Sequence, residues 1–262
     1  MKTLYYGDNL EILRNKIPDE SIDLCYIDPP FNSKQSYFQI YNNIGGSIDK
    51  AQAQAFVDTW TWDDRAIAGY TEITTNLNGR FTRQAIELIK GLELVLGGKT
   101  NNDLLAYLVH ITLRVTEIFR VLKPTGCFYL HCDPTASHYL KLVLDAVFCG
   151  QGGDFLNEII WHYQTGGASK KHFARKHDVI LFYTKSNKYM FYPDRIRTPR
   201  TEKSLKRAQN PIGARISATD TTKLPNDVFL IQALNPMANE RMGYPTQKPE
   251  ELLERIINAS SN

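Results

Sequence analysis

The residues with the most chemical content are Asp28-Pro29-Pro30-Phe31, directly after the β-prone run Ile22-Asp23-Leu24-Cys25-Tyr26-Ile27. Proline removes a ladder donor, so a strand must stop at that point. In an open α/β sheet the carboxyl ends of the strands are where ligands bind. The Asp28 carboxylate is a hydrogen-bond acceptor there. The Pro29 carbonyl, whose direction its ring helps to fix, is a second, and Phe31 offers a stacking surface. Two neighbouring acceptors match one exocyclic amine with its two N–H donors, and an aromatic ring beside them matches the flat face of the base that carries the amine. A plain strand-ending turn would use the same Asp-Pro pair, so the rest of the chain must decide between the two.

The elements that would position this motif are legible from periodicity. Leu4-Tyr5-Tyr6 reads as a short strand, and Gly7-Asp8-Asn9 turns into a helix with Leu10 and Leu13 on one face. After the motif, 32–80 is polar and aromatic without a sustained period and reads as a long loop or lid, in which Trp60 and Trp62 are packing residues. Gln84 to Leu96 is helical. Leu104, Leu108, Ile111, Val115, Ile118 and Leu122 then mark one apolar face of a longer helix, capped by Asn101 or Asn102 and ended by Lys123-Pro124-Thr125-Gly126. Cys127 to His131 is a strand, Tyr139 to Phe148 a helix, and Asn157 to His162 and Asp178 to Thr184 are strands. Regularity lapses from Tyr192 to about Glu240. A last helix carries Leu252, Leu253, Ile256 and Ile257 on one face, with Pro249 in its first turn. Strands alternating with helices predict an α/β fold with a mostly parallel sheet.

Composition narrows the class. The 262 residues are 42% hydrophobic and 23% charged, the ordinary globular range, which excludes a disordered or coiled-coil chain. No apolar run approaches the ~20 residues of a membrane span, and no signal-peptide stretch opens the chain, so no membrane partner and a cytoplasmic location are expected. Net charge is only +3, yet residues 163–210 hold twelve Lys/Arg against three Asp/Glu. Such a basic block is the usual footprint of a phosphate-backbone contact. Cys25, Cys127, Cys132 and Cys149 form no Cys-x-x-Cys pair and read as reduced thiols. Cys127, His131, Cys132 and Asp133 lack the spacing of zinc ligands, so no metal is expected. No Gly-x-Gly-x-x-Gly and no Walker-type loop occurs.

With these residues in view, the chain resembles the DNA amino-methyltransferases, which methylate adenine N6 or cytosine N4 with S-adenosylmethionine. Asp28-Pro29-Pro30-Phe31 looks like their catalytic motif. Tyr6-Gly7-Asp8-Asn9-Leu10, Val121 to Gly126 running into Cys127-Phe128-Tyr129-Leu130, Lys176-His177-Asp178, and Gly243-Tyr244-Pro245-Thr246-Gln247-Lys248-Pro249 resemble further family segments. The last is the most specific. The order resembles the β arrangement: catalytic half, target-recognition region, cofactor half.

The resemblance implies a Rossmann-like methyltransferase fold with a mostly parallel sheet and an irregular insertion. It divides the chain into a catalytic half at 1–191, a target-recognition region at 192–240 and a helix at 241–262 leading toward the cofactor half. That half would open with an Asp-x-Phe-x-Gly-x-Gly loop, which this sequence does not contain, so the sheet is expected to be incomplete, with an open edge beside Ile22–Ile27. The implied catalytic residues are Asp28, Pro29, Pro30 and Phe31. Asp8, Thr246 and Lys248 are expected near S-adenosylmethionine. Lys170, Lys171, Arg175, Lys176, Arg195, Arg197 and Arg200 are expected on the phosphates of double-stranded DNA, with Lys203, Lys206 and Arg207 beside them. The target base must be flipped out of the duplex, adenine being favoured over cytosine. The alternatives are an inactive DNA-binding fragment, half of a split enzyme whose second chain carries the cofactor loop, and an RNA or protein-amide methyltransferase. A homodimer is left open.

Overall fold

The computed structural model describes residues 2–30, 35–38, 54–58, 60–96, 102–164, 168–208, 221–235, 237–242 and 246–262. Phe31 and Gly243-Tyr244-Pro245 lie outside the described residues. Along the chain, α1 (Asn9–Lys16) precedes β1 (Ile22–Ile27), the antiparallel pair β2 (Gln35–Phe38) and β3 (Gln54–Asp58), and the helices α2 (Asp64–Thr75), α3 (Arg83–Leu96) and α4 (Asn102–Val121). β4 (Leu122–Cys132), α5 (Ser137–Val147), β5 (Asp154–His162) and β6 (His177–Thr184) follow. The remainder holds β7 (Thr198–Pro199), α6 (Glu202–Ala208), β8 (Thr222–Lys223), β9 (Val228–Leu230) and α7 (Glu250–Ser260).

The central sheet has the order β1-β4-β6-β5-β9. β1 is parallel to β4 and β5 to β9, whereas β6 is antiparallel to both β4 and β5. Four of the five strands therefore share one direction, and β6 alone opposes them. Among the described residues β1 pairs on one side only, with β4.

Side chains alternate across a strand, and here each face has its own core. Phe128, Leu130 and Cys132 of β4 with Val179, Leu181 and Tyr183 of β6 face a layer built from α3, α4 and α5. Cys127 and Tyr129 of β4, Ile180 and Phe182 of β6, and Ile159 and Trp161 of β5 face Leu252 and Ile256 of α7. The fold is thus α/β with helices on both faces.

Several expectations change. Leu4-Tyr5-Tyr6 is not a strand, and Leu4 is 97% exposed. β-prone residues need a neighbour to pair with, and none reaches them among the described residues. The segment 32–80 is not one structureless loop. It contains the β2–β3 pair and α2, whose start is capped by the Asp63 side chain accepting from the Arg65 and Ala66 N–H groups. α4 is buried nearly all round rather than along one stripe, because α1, α2, α3 and α5 all pack on it. The described part of 192–240 holds only short elements, and β9 within it adds the outer strand of the central sheet. The buried face of α7 is Leu252, Ile256 and Ala259, while Ile257 is half exposed, and Pro249 stands at the N-cap rather than in the first turn.

Two glycines are needed for close approach. A Cβ on Gly126 would lie 2.9 Å from the Lys123 carbonyl oxygen, and one on Gly153 only 2.4 Å from that of Thr184. No helix among the described residues is long and apolar enough to cross a membrane.

Candidate active site

Asp28 follows β1 at the carboxyl edge of the sheet, where β4 and β5 also end and the opposed β6 begins. Lys248, immediately before α7, reaches the same point. Its Nζ donates to Asp28 Oδ2 at 2.6 Å across a separation of 220 residues. The pair is neither a surface bridge nor fully dry, with side-chain exposures of 13% for Lys248 and 24% for Asp28.

The Thr246-Gln247-Lys248-Pro249 segment has a structural logic. Gln247 accepts from the Met242 N–H at 2.8 Å and donates to the Glu240 carbonyl at 2.7 Å, tying the preceding turn. Lys248 reaches the Thr246 carbonyl oxygen at 3.5 Å as well as Asp28. Pro249, with its fixed φ, begins α7.

Asp28, Pro29 and Pro30 line a cleft of about 330 Å³ with Asn9, Tyr26, Trp60, Ile111 and Arg114. Trp60 was expected only to pack. It does pack, against Tyr107 and His110 at ring separations of 5.6 and 4.8 Å, but it also walls this cleft and its indole N–H donates to the Pro30 carbonyl at 3.4 Å. Burial, followed by the Arg114 charge, pushes His110 below the ordinary imidazole range. Trp62 packs edge-on against Tyr70, away from the cleft lining. Asp8 caps α1 through the Leu10 N–H at 2.8 Å and accepts from Arg114 at 2.8 Å, so it holds a cleft residue in place.

Behind Asp28 lies a group that the sequence did not single out as a site. His131 is wholly buried; its Nδ1 is 2.7 Å from the Tyr26 hydroxyl and its Nε2 is 3.1 Å from Asp178 Oδ2. A zinc set built from neighbours in sequence fails on geometry, since Cys132 projects into the opposite core from His131. The only signal available beforehand was the parity of Tyr26, Asp28, His131 and Asp178 on one sheet face. Burial also pushes the Cys25 thiol up to about 12 and the Cys127 thiol up to about 11.

The basic residues fall into two groups. Lys170, Lys171, Arg175 and Lys176 lie between β5 and β6, on the sheet edge that carries Asp28, and the first three are exposed. Arg195 and Arg197 belong to the opposite edge. The Tyr192 N–H there donates to the Ala259 carbonyl at the far end of α7, and Arg195 donates to the Ser261 carbonyl at 2.9 Å while stacking on Tyr192. Arg197 is tied to Thr222 and Asp194, and the Arg200 N–H pairs with the Thr221 carbonyl. The basic block of the sequence is thus divided in the fold: an 11-residue helix, about 16 Å long at 1.5 Å per residue, separates the two groups.

A DNA methylase family model, covering the N6 and N4 enzymes, matches residues 22–262. The type II methyltransferase M.BglII from Bacillus subtilis is 30% identical over 98% of this chain and 56% of its own length. The DNA adenine methyltransferase YhdJ from Escherichia coli K12 is 26% identical over all of this chain and 68% of its own. The type II methyltransferase M.HpaI from Haemophilus parainfluenzae is 34% identical over 56% of this chain and 42% of its own length. Among solved structures, the cytosine-N4-specific PvuII DNA methyltransferase covers 98% of this chain and 70% of its own at 14% identity, with a TM-score of 0.46. The chain thus spans about half the length of M.BglII and of M.HpaI. With a family match across nearly its whole length, it belongs to the DNA methylase family of N6 and N4 amino-methyltransferases.

Proposed function

We propose that this chain transfers a methyl group from S-adenosylmethionine to the exocyclic amine of a base flipped from double-stranded DNA, with adenine N6 preferred to cytosine N4. The observation that carries the reading is the Asp28–Lys248 contact, which joins the two most specific motifs through a residue that lines the cleft. The donor set there suits the methionine end of the cofactor. Thr246 and Lys248 would meet its carboxylate, with the positive end of α7 beside them, and Asp8 supports the same cleft through Arg114. When bound, the cofactor supplies an electrophilic methyl.

The chain's own residues do the rest. The amine nitrogen of adenine is a poor nucleophile because its lone pair is delocalised into the ring. Hydrogen bonds from its two N–H groups to Asp28 and the Pro29 carbonyl draw it toward tetrahedral geometry, which stabilises the transition state without a covalent enzyme intermediate. Flipping the base costs a few kcal/mol. Stacking on Phe31 recovers about 1–3 kcal/mol of it. Lys170, Lys171, Arg175 and Lys176 hold phosphates beside the cleft, a contact that fixes position without reading sequence. Arg195, Arg197 and Arg200 serve a second, more distant DNA contact, within the target-recognition region at 192–240.

The test is transfer of isotope-labelled methyl from S-adenosylmethionine to duplex DNA, RNA and protein, with the products digested and separated. Label in N6-methyladenine supports the reading, and label in RNA or in protein amides replaces the substrate. Transfer by Asp28→Ala within about tenfold of the unmodified chain would remove Asp28 from the mechanism. Calorimetric absence of S-adenosylmethionine binding favours a DNA-binding fragment. Label that appears only on adding a second chain bearing a glycine loop favours a split enzyme.

A further inference from the structure

A polar chain crosses the sheet directly behind Asp28. Alternation puts Tyr26 and Asp28 on the α7 face of β1, His131 on the same face of β4 and Asp178 on that of β6, with Tyr163 just past β5. His131 Nδ1 lies 3.9 Å from Asp28 Oδ1 and 2.7 Å from the Tyr26 hydroxyl, while Nε2 lies 3.1 Å from Asp178 Oδ2. Tyr163 donates to the other Asp178 oxygen at 3.1 Å, and the Trp161 ring meets the imidazole edge-on at 5.5 Å. A carboxylate only accepts, so Asp178 fixes a proton on Nε2 and leaves the Nδ1 lone pair to accept from the Tyr26 hydroxyl, with Asp28 Oδ1 next nearest. A base oriented by a carboxylate and aimed at a reacting group is the arrangement of an activated pair. Packing alone does not explain it, because a buried imidazole carries a desolvation cost that an apolar side chain against Trp161 would avoid.

Building on the proposed methyl transfer, we propose that His131 is a positioning residue: oriented by Asp178 and Tyr26, it stands behind Asp28 to take from it the proton that the amine loses. The amine nitrogen forms one bond to the methyl carbon as the carbon–sulfur bond breaks, with that electron pair staying on sulfur. The surplus N–H proton passes to Asp28 Oδ1 and reaches His131 Nδ1 once the Tyr26 hydroxyl turns off that nitrogen and the 3.9 Å gap closes to hydrogen-bond reach in the substrate complex. The resulting imidazolium stands between the Asp28 and Asp178 carboxylates, and after product release the proton returns through Asp28 to solvent. The charged and titratable groups around the ring are Tyr26 and Asp28 from β1, Asp178 from β6, and Lys248 beyond Asp28. Burial, then the Asp28 and Asp178 charges, raise the Tyr26 phenol, which therefore stays protonated.

The experiment compares the chain with its Asp178→Asn and Tyr26→Phe variants in steady-state methyl transfer to DNA. Thermal unfolding and long-range proton–nitrogen spectra of histidine-labelled protein accompany it. Asp178→Asn keeps an acceptor for Nε2–H and removes the charge. Its kcat is expected to fall about 100-fold with KM for DNA unchanged, the size of a lost acid–base contribution, and the unmodified chain shows His131 protonated on Nε2. An unchanged kcat, a rise in KM in place of the fall in kcat, or a neutral His131 protonated on Nδ1 overturns the relay. If Asp178→Asn does not fold, Tyr26→Phe carries the same kinetic test. If the unmodified chain transfers no methyl to DNA, the methyl-transfer reading fails instead. The spectra need no turnover and still decide whether Asp178 orients His131.

Discussion

Replacing Lys248 by Met keeps most of the aliphatic stem and removes the ammonium that Asp28 Oδ2 meets at 2.6 Å. The cost can be bracketed from exposure. A solvent-exposed pair is worth about 1 kcal/mol at most, and stripping one partner from a fully buried pair costs about 3–5 kcal/mol. At 13% and 24% exposure the pair lies between these limits, because Asp28 retains some water to replace the lost donor. A loss of about 2 kcal/mol follows, which for a domain of this size lowers Tm by roughly 4–8 °C. Calorimetric unfolding of Lys248→Met, Asp28→Asn and the double variant closes a cycle, and the expected coupling is at least about 1 kcal/mol. Methyl transfer should fall in Lys248→Met as well if the same ammonium meets the cofactor carboxylate as proposed. Additive losses, with coupling under about 0.5 kcal/mol, would refute the claim that this contact joins the two motifs.

Other expectations follow from the same structure. Gly153→Ala would set a Cβ 2.4 Å from the Thr184 carbonyl oxygen and 3.1 Å from that of Phe148. Both are backbone atoms that cannot swing aside, so urea unfolding should show a loss of about 1–3 kcal/mol. Removing both Lys170 and Lys171 should weaken DNA binding uniformly across sequences and reduce the slope of log K against log salt by about 2, at roughly 0.9 per phosphate contact. Arg195→Ala should change that slope less, because its guanidinium is held by Ser261 and Tyr192; anisotropy titrations at several salt concentrations decide. Cys149 is exposed while Cys127 and Cys132 are buried. Cys25, raised to about 12 by burial, carries no thiolate until pH approaches that value. Alkylation near pH 8 should therefore mark Cys149 first, as peptide mapping would show.

The local and chemical features were legible in the chain itself. The β-prone run into Asp28-Pro29 sets a strand end, the 4-3-4-3 apolar spacing sets α4, and the pairing of the Asp-Pro-Pro-Phe and Thr-Gln-Lys-Pro motifs points to the family. These rest on dihedral limits, periodicity and the donor and acceptor inventory of single residues, all of which are local. Where the reading failed, non-local contacts decided. Leu4-Tyr5-Tyr6 has strand propensity but no partner. The stretch 32–80 shows no clean period, yet Asp63 caps a helix in it that packs on α4.

Tertiary structure alone decided the composition of the site. Asp28 and Lys248 meet across 220 residues, and His131 and Asp178 stand beside Tyr26 only because β4 pairs with both β1 and β6 in a fixed register. The same folding separated one basic block in sequence into two groups at opposite edges. Sequence therefore determined which chemistry this protein carries, through residue types and local backbone limits. Strand order and register determined which of those residues face one another, since a shift of one residue would turn every side chain of a strand to the other face.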